Sequence, residues 1–184
     1  MISATDDLFD QFRQHLESVL GHTCRVASPG DAANQIAAIQ PGGGVIWASP
    51  VVKERAPDLV AALQDKGFTL RFDGTPADVR DQPLGLTIAR NAIAETGSCL
   101  LVEPTLAERA VSLMTNTLIV LCPTSAILPG LDEVAPVLRD VSRKGASYAT
   151  LVTGPSRTAD IERQLTVGVQ GPSAFHAIFV DEMR

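Results

Sequence analysis

The alternation of short apolar runs with amphipathic segments is the feature that most constrains the fold of this chain. Apolar, strand-type runs occur at residues 45–48, 118–121 and 175–180. Between such runs, apolar residues recur at helical spacing, as in residues 106–113 and 134–141. Strands that alternate with helices build βαβ units. The sequence therefore predicts an α/β fold with a mostly parallel sheet flanked by helices on both faces.

The amino-terminal segment has its own helical pattern. Leu8, Phe12 and Leu16 recur at helical spacing, and Gly21 is suited to end a helix. We interpret residues 1–22 as an N-terminal helical appendage and residues 23–184 as a single α/β domain. A chain of 184 residues is long enough for one substantial core.

Composition excludes several classes of protein. The net charge of −6 argues against a nucleic-acid partner, which requires a basic face. No apolar run approaches the roughly 20 residues of a membrane span, so we expect none. The first residues are acidic rather than basic, unlike a signal peptide. The three cysteines are far apart and odd in number, which indicates reduced thiols and a cytoplasmic protein.

A polar stretch follows the predicted strand at residues 148–152. Gly154 and Pro155 end that strand, after which Ser156 or Thr158 is suited to cap a short helix. A helix start of this kind can hold an anionic ligand, although capping alone also explains Ser156. The candidate ligand-binding residues of this stretch are Gly154, Ser156, Arg157, Thr158 and Asp160.

A second polar turn separates two apolar runs. Glu95 precedes the strand predicted at residues 98–102, and we expect its carboxylate to be buried and therefore paired or protonated. It is a candidate general base, or else a hydrogen-bond acceptor that fixes its own turn. Thr96, Gly97 and Ser98 are candidate ligand-binding residues beside it. We expect this turn and the 154–160 turn to line one pocket at the carboxyl ends of neighbouring strands.

These two stretches also carry a resemblance to a known family. The order Ala-Glu-Thr-Gly-Ser at residues 94–98 is one block, and Gly-Pro-Ser-Arg-Thr-Ala-Asp-Ile-Glu followed by Gly-Val-Gln-Gly-Pro within residues 154–172 is the other. Both resemble the signature segments of the LUD family, the lactate utilization proteins, and particularly its protein C branch. The resemblance covers most of the chain from about residue 43. It implies a fold like that of ribose-phosphate isomerase and the coenzyme A transferases, in which Glu95 is a candidate nucleophile.

The resemblance also implies a function. The family member would support oxidation of L-lactate to pyruvate, together with iron–sulfur partner proteins that hold the clusters. We expect no metal or cofactor on this chain, since it has no Cys-x-x-Cys, His-Glu-x-x-His or Gly-x-Gly-x-x-Gly pattern. A small anionic ligand fits the candidate site. Two alternatives stay open: a self-sufficient small-molecule enzyme using Glu95 as base or nucleophile, and a non-catalytic scaffold.

Three residues depart from the pattern of the family that the chain resembles. Arg90 stands where an Asp is common, Leu118 where a His often occurs, and Gln170 where many relatives have His. Each change removes an acidic or metal-binding group. If the family uses those groups for acid–base chemistry, this chain is impaired in it or has a narrower activity.

Overall fold

The structure is a computed structural model that describes residues 4–145, 148–159 and 166–183. The helices are α1 (Ala4–Ser18), α2 (Pro29–Ile39), α3 (Pro50–Arg55), α4 (Pro57–Asp65), α5 (Pro76–Val79), α6 (Leu106–Met114) and α7 (Val134–Arg143). The strands are β1 (His22–Val26), β2 (Gly44–Ala48), β3 (Phe68–Arg71), β4 (Leu84–Ile88), β5 (Asn91–Ile93), β6 (Ser98–Val102), β7 (Thr117–Pro123), β8 (Ile127–Leu128), β9 (Ala149–Val152), β10 (Arg157–Thr158), β11 (Thr166–Val167) and β12 (Ala174–Val180). None of the described helices is long and apolar enough to cross a membrane.

Six strands form the main sheet, in the order β1-β12-β7-β4-β2-β3, and every neighbouring pair is parallel. In the centre, Ile119 of β7 pairs with Leu86 on one side and His176 on the other. All of β4 is buried, as is β7 beyond its first residue. Strands that are buried on both faces are typical of a parallel sheet covered by other layers. The predicted α/β fold with a mostly parallel sheet is confirmed.

The two faces of the main sheet are covered differently. On one face, α2, α3 and α4 contribute Ile36, Val52 and Leu59 to an aliphatic core. On the other face, α1 and a second sheet pack with Phe175 and Phe179 of β12. Helix α6 packs on that side too. Its Ala110 and Val111 form a smaller cluster with Trp47 and Val79.

The second sheet has four strands, in the order β8-β5-β6-β9. The sequence predicted strands near residues 98–102 and 148–152, but they pair antiparallel with each other outside the main sheet. β5 was not predicted at all. β5 and β6 pair antiparallel because only residues 94–97 connect them, and a parallel crossover needs about a dozen residues.

Helix α1 belongs to the core. Phe12 and Leu16 are fully buried, and the Phe12 ring lies 4.9 Å from that of Phe179 in an edge-on arrangement. Arg25 of β1 also binds Asp6 at 2.6 Å. The helix predicted near residues 4–20 is therefore confirmed. A domain boundary at residue 22 stays a prediction.

Ser156 does not cap the predicted helix. The alternative, a helix capped by Thr158, falls largely on residues 160–165, which lie outside the described residues. Arg157 and Thr158 form β10 instead, paired antiparallel with β11. The Ser156 amide donates to the Pro172 carbonyl at 2.8 Å, and its carbonyl accepts from the Gly168 amide at 2.8 Å. The returning chain satisfies these backbone groups, so the segment has no need of helical hydrogen bonds.

Candidate functional site

The carboxyl edge of the main sheet carries a pocket that is rich in positive charge. It lies where β2, β4 and β6 end, beside the carboxyl-terminal turns of α3 and α7, and it encloses about 250 Å³. Crevices at this edge of open parallel sheets are the usual ligand sites of α/β proteins. We call it the cationic pocket; its lining consists of Val51, Arg55, Ile88, Arg90, Val102, Asp140, Val141 and Lys144.

Arg55 reaches the pocket from α3. Ser49 follows β2 directly in an extended conformation, and Pro50 occupies the first helical position, so the chain turns into a helix at once. The helix is short and ends with Lys53 and Arg55, where cations interact favourably with its carboxyl terminus. This helix was not predicted. Burial, together with the positive charge of Arg90, lowers the pKa of Arg55.

Arg90 lies at the corner where β4 leaves the main sheet. The amide of Ala89 donates to the Leu121 carbonyl of β7, and the amide of Arg90 donates to the Leu100 carbonyl of β6, both at 2.8 Å. Two consecutive residues are therefore fixed to two different sheets. This holds the backbone of the corner rigidly and sets where the Arg90 side chain, 51% exposed, enters the pocket.

The third side of the pocket is the end of α7. Lys144 binds Asp140 at 2.9 Å, one helical turn away, and Arg90 lies 3.8 Å from the same carboxylate. The hydrogen bond from Lys144 lowers the pKa of Asp140. Among the lining side chains, Arg55, Arg90 and Lys144 are cationic and Asp140 is acidic, so the lining contains more positive than negative groups. Such a site attracts small anions.

The predicted site residues are placed elsewhere. Glu95 is exposed rather than buried, so the expectation of a buried carboxylate is wrong. Its Oε2 accepts from the Leu131 amide at 3.0 Å, in an open cavity of about 630 Å³ that also contains Asp132 and Glu133. Glu95 therefore stabilises the turn before α7. Its role as base or nucleophile stays a prediction.

The 95–98 turn contacts the chain just before the 154–160 turn, through Ser98 and Thr153. The Ser98 hydroxyl lies 2.6 Å from that of Thr153 and accepts from Thr96 at 2.8 Å. A side chain added at Gly97 would meet the backbone of α1 at His15 and Leu16. A side chain added at Gly154 would meet Val19 and Gly21, just beyond that helix. The end of α1 thus covers both turns. Neither turn lines the cationic pocket.

The remaining predicted residues lie at the amino edge of the main sheet. Ser156 packs beside Gly171, which lies near the Leu113 carbonyl of α6. Arg157 and Thr158 are in the hairpin described above. Asp160 lies outside the described residues. The ligand-binding roles of Gly154, Ser156, Arg157 and Thr158, like those of Thr96, Gly97 and Ser98, stay predictions.

The three departures from the family pattern fall in three surroundings. Arg90 lines the cationic pocket, whereas Leu118 is fully buried in the core beside α1. Gln170 is exposed at a cavity of about 430 Å³ at the amino edge, beside Arg80 and Asp81. Of the three changes, only Arg90 adds a charge to the cationic pocket. Two sequence features could have indicated this pocket: Arg90 itself and the helix start at Ser49-Pro50.

A further cavity, of about 400 Å³, lies beside the first residues of β1 and β12. The His22 and His176 rings stack there at 4.8 Å. Burial, with the neighbouring His22, lowers the pKa of His176 to about 4, so this imidazole is neutral at pH 7. Within the described ranges, no three or more His, Cys, Asp or Glu side chains are grouped so as to hold a metal ion.

The comparisons with known proteins agree with the resemblance. The family model for the LUD domain matches residues 9–180. The chain is 36% identical to lactate utilization protein C 1 of Bacillus mycoides over 123 residues, 65% of this chain and 50% of the relative. It is 34% identical to lactate utilization protein C of Bacillus subtilis over 102 residues, 54% of this chain and 42% of the relative. The matches thus span about half the length of these relatives.

The fold has a counterpart among solved structures. The crystal structure of a DUF162 family protein from Deinococcus radiodurans matches 97% of this chain and 99% of its own, with a TM-score of 0.65 and 18% identity. At that identity the likeness shows the fold alone. The expected likeness to ribose-phosphate isomerase and the coenzyme A transferases stays a prediction. The family match covers nearly the whole chain, and the chain belongs to the LUD domain family.

Proposed function

We propose that this chain serves L-lactate utilization by binding lactate in the cationic pocket. The observation that carries the proposal is the convergence of Arg55, Arg90 and Lys144 at the carboxyl edge of the parallel sheet. Guanidinium groups bind carboxylates through paired hydrogen bonds, and a half-buried site strengthens them. The relatives named lactate utilization protein C support lactate as the anion.

The walls of the pocket suit the rest of the lactate molecule. Val51, Ile88, Val102 and Val141 present aliphatic groups beside the charged ones. A methyl group buried against them gains roughly 1 kcal/mol. Asp140 holds Lys144 and lies near Arg90, which orders two of the three cations before the ligand arrives. The volume of about 250 Å³ restricts the site to small ligands.

Oxidation of lactate to pyruvate releases two electrons and two protons, and the pocket residues supply binding rather than an electron acceptor. We therefore infer that iron–sulfur partner proteins accept the electrons, as the family resemblance implies. The three cysteines are free thiols, and Cys99 and Cys122 remain unbonded with their sulfur atoms 3.6 Å apart. Three cysteines that are odd in number and far apart along the chain favour a reducing compartment, which supports a cytoplasmic location.

The proposal is tested by growth on L-lactate of a strain that lacks its own LUD protein and carries this chain with its neighbouring genes. We expect growth with the unaltered chain and loss of growth with Arg55→Gln combined with Arg90→Gln. The control is Arg13→Gln, since Arg13 is an exposed arginine on α1 paired with Asp10. Growth of the double variant at the unaltered rate, with normal protein levels, contradicts the proposal.

A further inference from the structure

The cavity beside the first residues of β1 and β12 differs in its lining from the cationic pocket. It has a volume of about 400 Å³ and lies at the amino edge of the main sheet. We call it the histidine cavity; its lining consists of His22, Thr23, Cys24, Gln35, Ala38, Ile39, His176, Ala177 and Ile178. We propose that it binds a neutral, planar heteroaromatic ring, such as the base of a nucleoside, which stacks on His22. This ligand is additional to lactate, and the inference does not rest on the proposed function.

Strand pairing builds the aromatic surface of the histidine cavity. His22 begins β1 and is in register with His176 of the parallel strand β12, so the two rings lie side by side on one face of the sheet. Their centroids are 4.8 Å apart and their planes differ by 23°, which is a stacked arrangement. β1 is the edge strand of the main sheet, and His22 is exposed. His22 is therefore the outer ring of the pair, and a flat ligand can extend the stack on its outer face.

The residue types of the lining indicate an uncharged ligand. The lining contains histidine, threonine, cysteine, glutamine, alanine and isoleucine, and none of its nine residues is Asp, Glu, Lys or Arg. Burial, with the neighbouring His22, lowers the pKa of His176 to about 4, so that imidazole is neutral at pH 7. A charged group enclosed without a charged partner is costly. The histidine cavity thus selects a different class of ligand from the cationic pocket.

The other walls provide an apolar floor and a hydrogen-bonding edge. Ile178 belongs to the aliphatic core on the α2 face, and Ile39 packs against it. Gln35 of α2 is exposed, and its amide can both donate and accept. The Thr23 hydroxyl already donates to the Ala177 carbonyl at 2.9 Å. A heteroaromatic ring has apolar faces and an edge that donates and accepts, and it matches both parts of this lining.

The same side chains do not favour a metal ion. The lone pair of an imidazole nitrogen lies in the plane of the ring, so the stacked rings of His22 and His176 do not point at an ion between them. Cys24 is a third potential ligand in the lining, but burial raises the pKa of its thiol, which disfavours the thiolate that binds metals. A volume of about 400 Å³ instead suits a small organic molecule.

The sequence has three histidines, and their ring signals report directly on this site. The test records the imidazole C–H signals of the full chain by two-dimensional NMR at pH 7.5 during titration with adenosine. We expect saturable shifts of the His22 and His176 signals, because a stacked base changes the magnetic field at both rings. His15, exposed on α1, is expected to keep its signals. D-ribose, which lacks the base, is expected to shift none of the three.

Variants at His22 separate stacking from other contacts. His22→Ala removes the outer ring and is expected to weaken adenosine binding at least about fivefold in calorimetry. His22→Phe keeps an aromatic face and is expected to bind adenosine within about threefold of the unaltered chain. The matched control His15→Ala is expected to leave the affinity unchanged. Thermal melting of each variant separates lost binding from lost folding.

Three results overturn the inference. The first is the absence of a saturable shift at His22 and His176 up to the solubility limit of adenosine. The second is undiminished binding by a folded His22→Ala variant. The third is binding of benzyl alcohol, whose ring has no heteroatom, as tightly as adenosine. Adenosine binding by a chain that does not bind L-lactate supports the inference and contradicts the proposed function alone, since the two sites lie at opposite edges of the sheet.

Discussion

The corner at Arg90 and the turns at 95–98 and 153–154 lie in opposite surroundings. The side chain of Arg90 remains half exposed in the cationic pocket. The turns at 95–98 and 153–154 are instead covered by α1, and their hydroxyls bind one another. The proposed ligand-binding side chain is thus half exposed, whereas the residues of the turns serve packing.

The two regions differ in how closely the protein itself supplies hydrogen-bond or ionic partners for their polar side chains. Ser98 has Thr96 and Thr153 as partners, and Glu95 has the Leu131 amide. Within the part of the chain that the structure describes, the Arg90 guanidinium has the Asp140 carboxylate at 3.8 Å, and that carboxylate binds Lys144 more closely, at 2.9 Å. A polar group whose partners are supplied by its own chain stabilises the fold, whereas one with weak compensation is available to a ligand.

The largest effect that distinguishes the two regions is expected for Gly97→Ala. Gly97 has a positive φ of 64°, and an added Cβ meets the Leu16 amide at 2.5 Å and the His15 carbonyl carbon at 3.0 Å. Backbone atoms of α1 cannot move aside as a flexible side chain can. We expect a loss of about 3 kcal/mol or more in the free energy of unfolding, measured by urea denaturation.

The control for that change is Gly42→Ala. Gly42 also has a positive φ, 92°, but an added Cβ meets nothing within 4 Å. Only backbone strain remains, so a loss of about 1 kcal/mol is expected. Equal losses at the two glycines contradict the packing of α1 on the 95–98 turn.

An intermediate effect concerns Glu103, which follows β6 and is 3% exposed. Burial raises its pKa to about 7, although the Ser112 hydroxyl, which donates at 2.9 Å, opposes the shift. The folded chain therefore keeps this proton up to about pH 7, whereas an unfolded carboxyl loses it near pH 4.5. Stability from this group is present at low pH and is lost as the pH rises through that window.

Glu103→Gln removes that dependence. Relative to the unaltered chain, the variant is expected to gain roughly 2 kcal/mol between pH 5 and pH 8 in urea denaturation. The matched control is Glu17→Gln, since Glu17 is an exposed glutamate on α1. A difference between Glu103→Gln and the unaltered chain that stays constant with pH contradicts the buried, protonated carboxyl.

The smallest effect is expected for Glu95→Gln. Glu95 is exposed. The glutamine side chain loses the negative charge but keeps an oxygen that can accept from the Leu131 amide. A loss of about 0.5–1 kcal/mol in unfolding free energy is expected, with growth on L-lactate unchanged. Failure of growth with full stability contradicts this and restores Glu95 as a catalytic candidate.

The main sheet was predictable because buried parallel strands and amphipathic helices leave strong local patterns. β4, β7 and β12 are apolar runs, and α7 begins at Val134, where the helical spacing of apolar residues begins. The second sheet was not predictable in the same way. β5 and β8 have three and two residues, too few to show a period, and they form because longer neighbours pair with them.

The candidate site was predictable only in part. The sequence analysis gave Glu95 as the catalytic candidate, which stays a prediction, and noted Arg90 only as a departure from the family pattern. Arg55, Arg90 and Lys144 are far apart along the chain and come together through the corner at β4 and the packing of α3 and α7. No local pattern indicates such a convergence. The pairing of β10 with β11 was likewise set by contacts with residues 166–172.

The central claim is that lactate binds at the carboxyl edge, and methyl NMR tests it most directly. Val51, Ile88, Val102 and Val141 line the pocket, whereas Val19, Val152, Val167 and Val169 lie around the covered turns and the amino edge. On titration with L-lactate, we predict saturable shifts of the first set and unchanged signals from the second. Shifts confined to the second set, or no saturable shift up to high millimolar lactate, contradict the account.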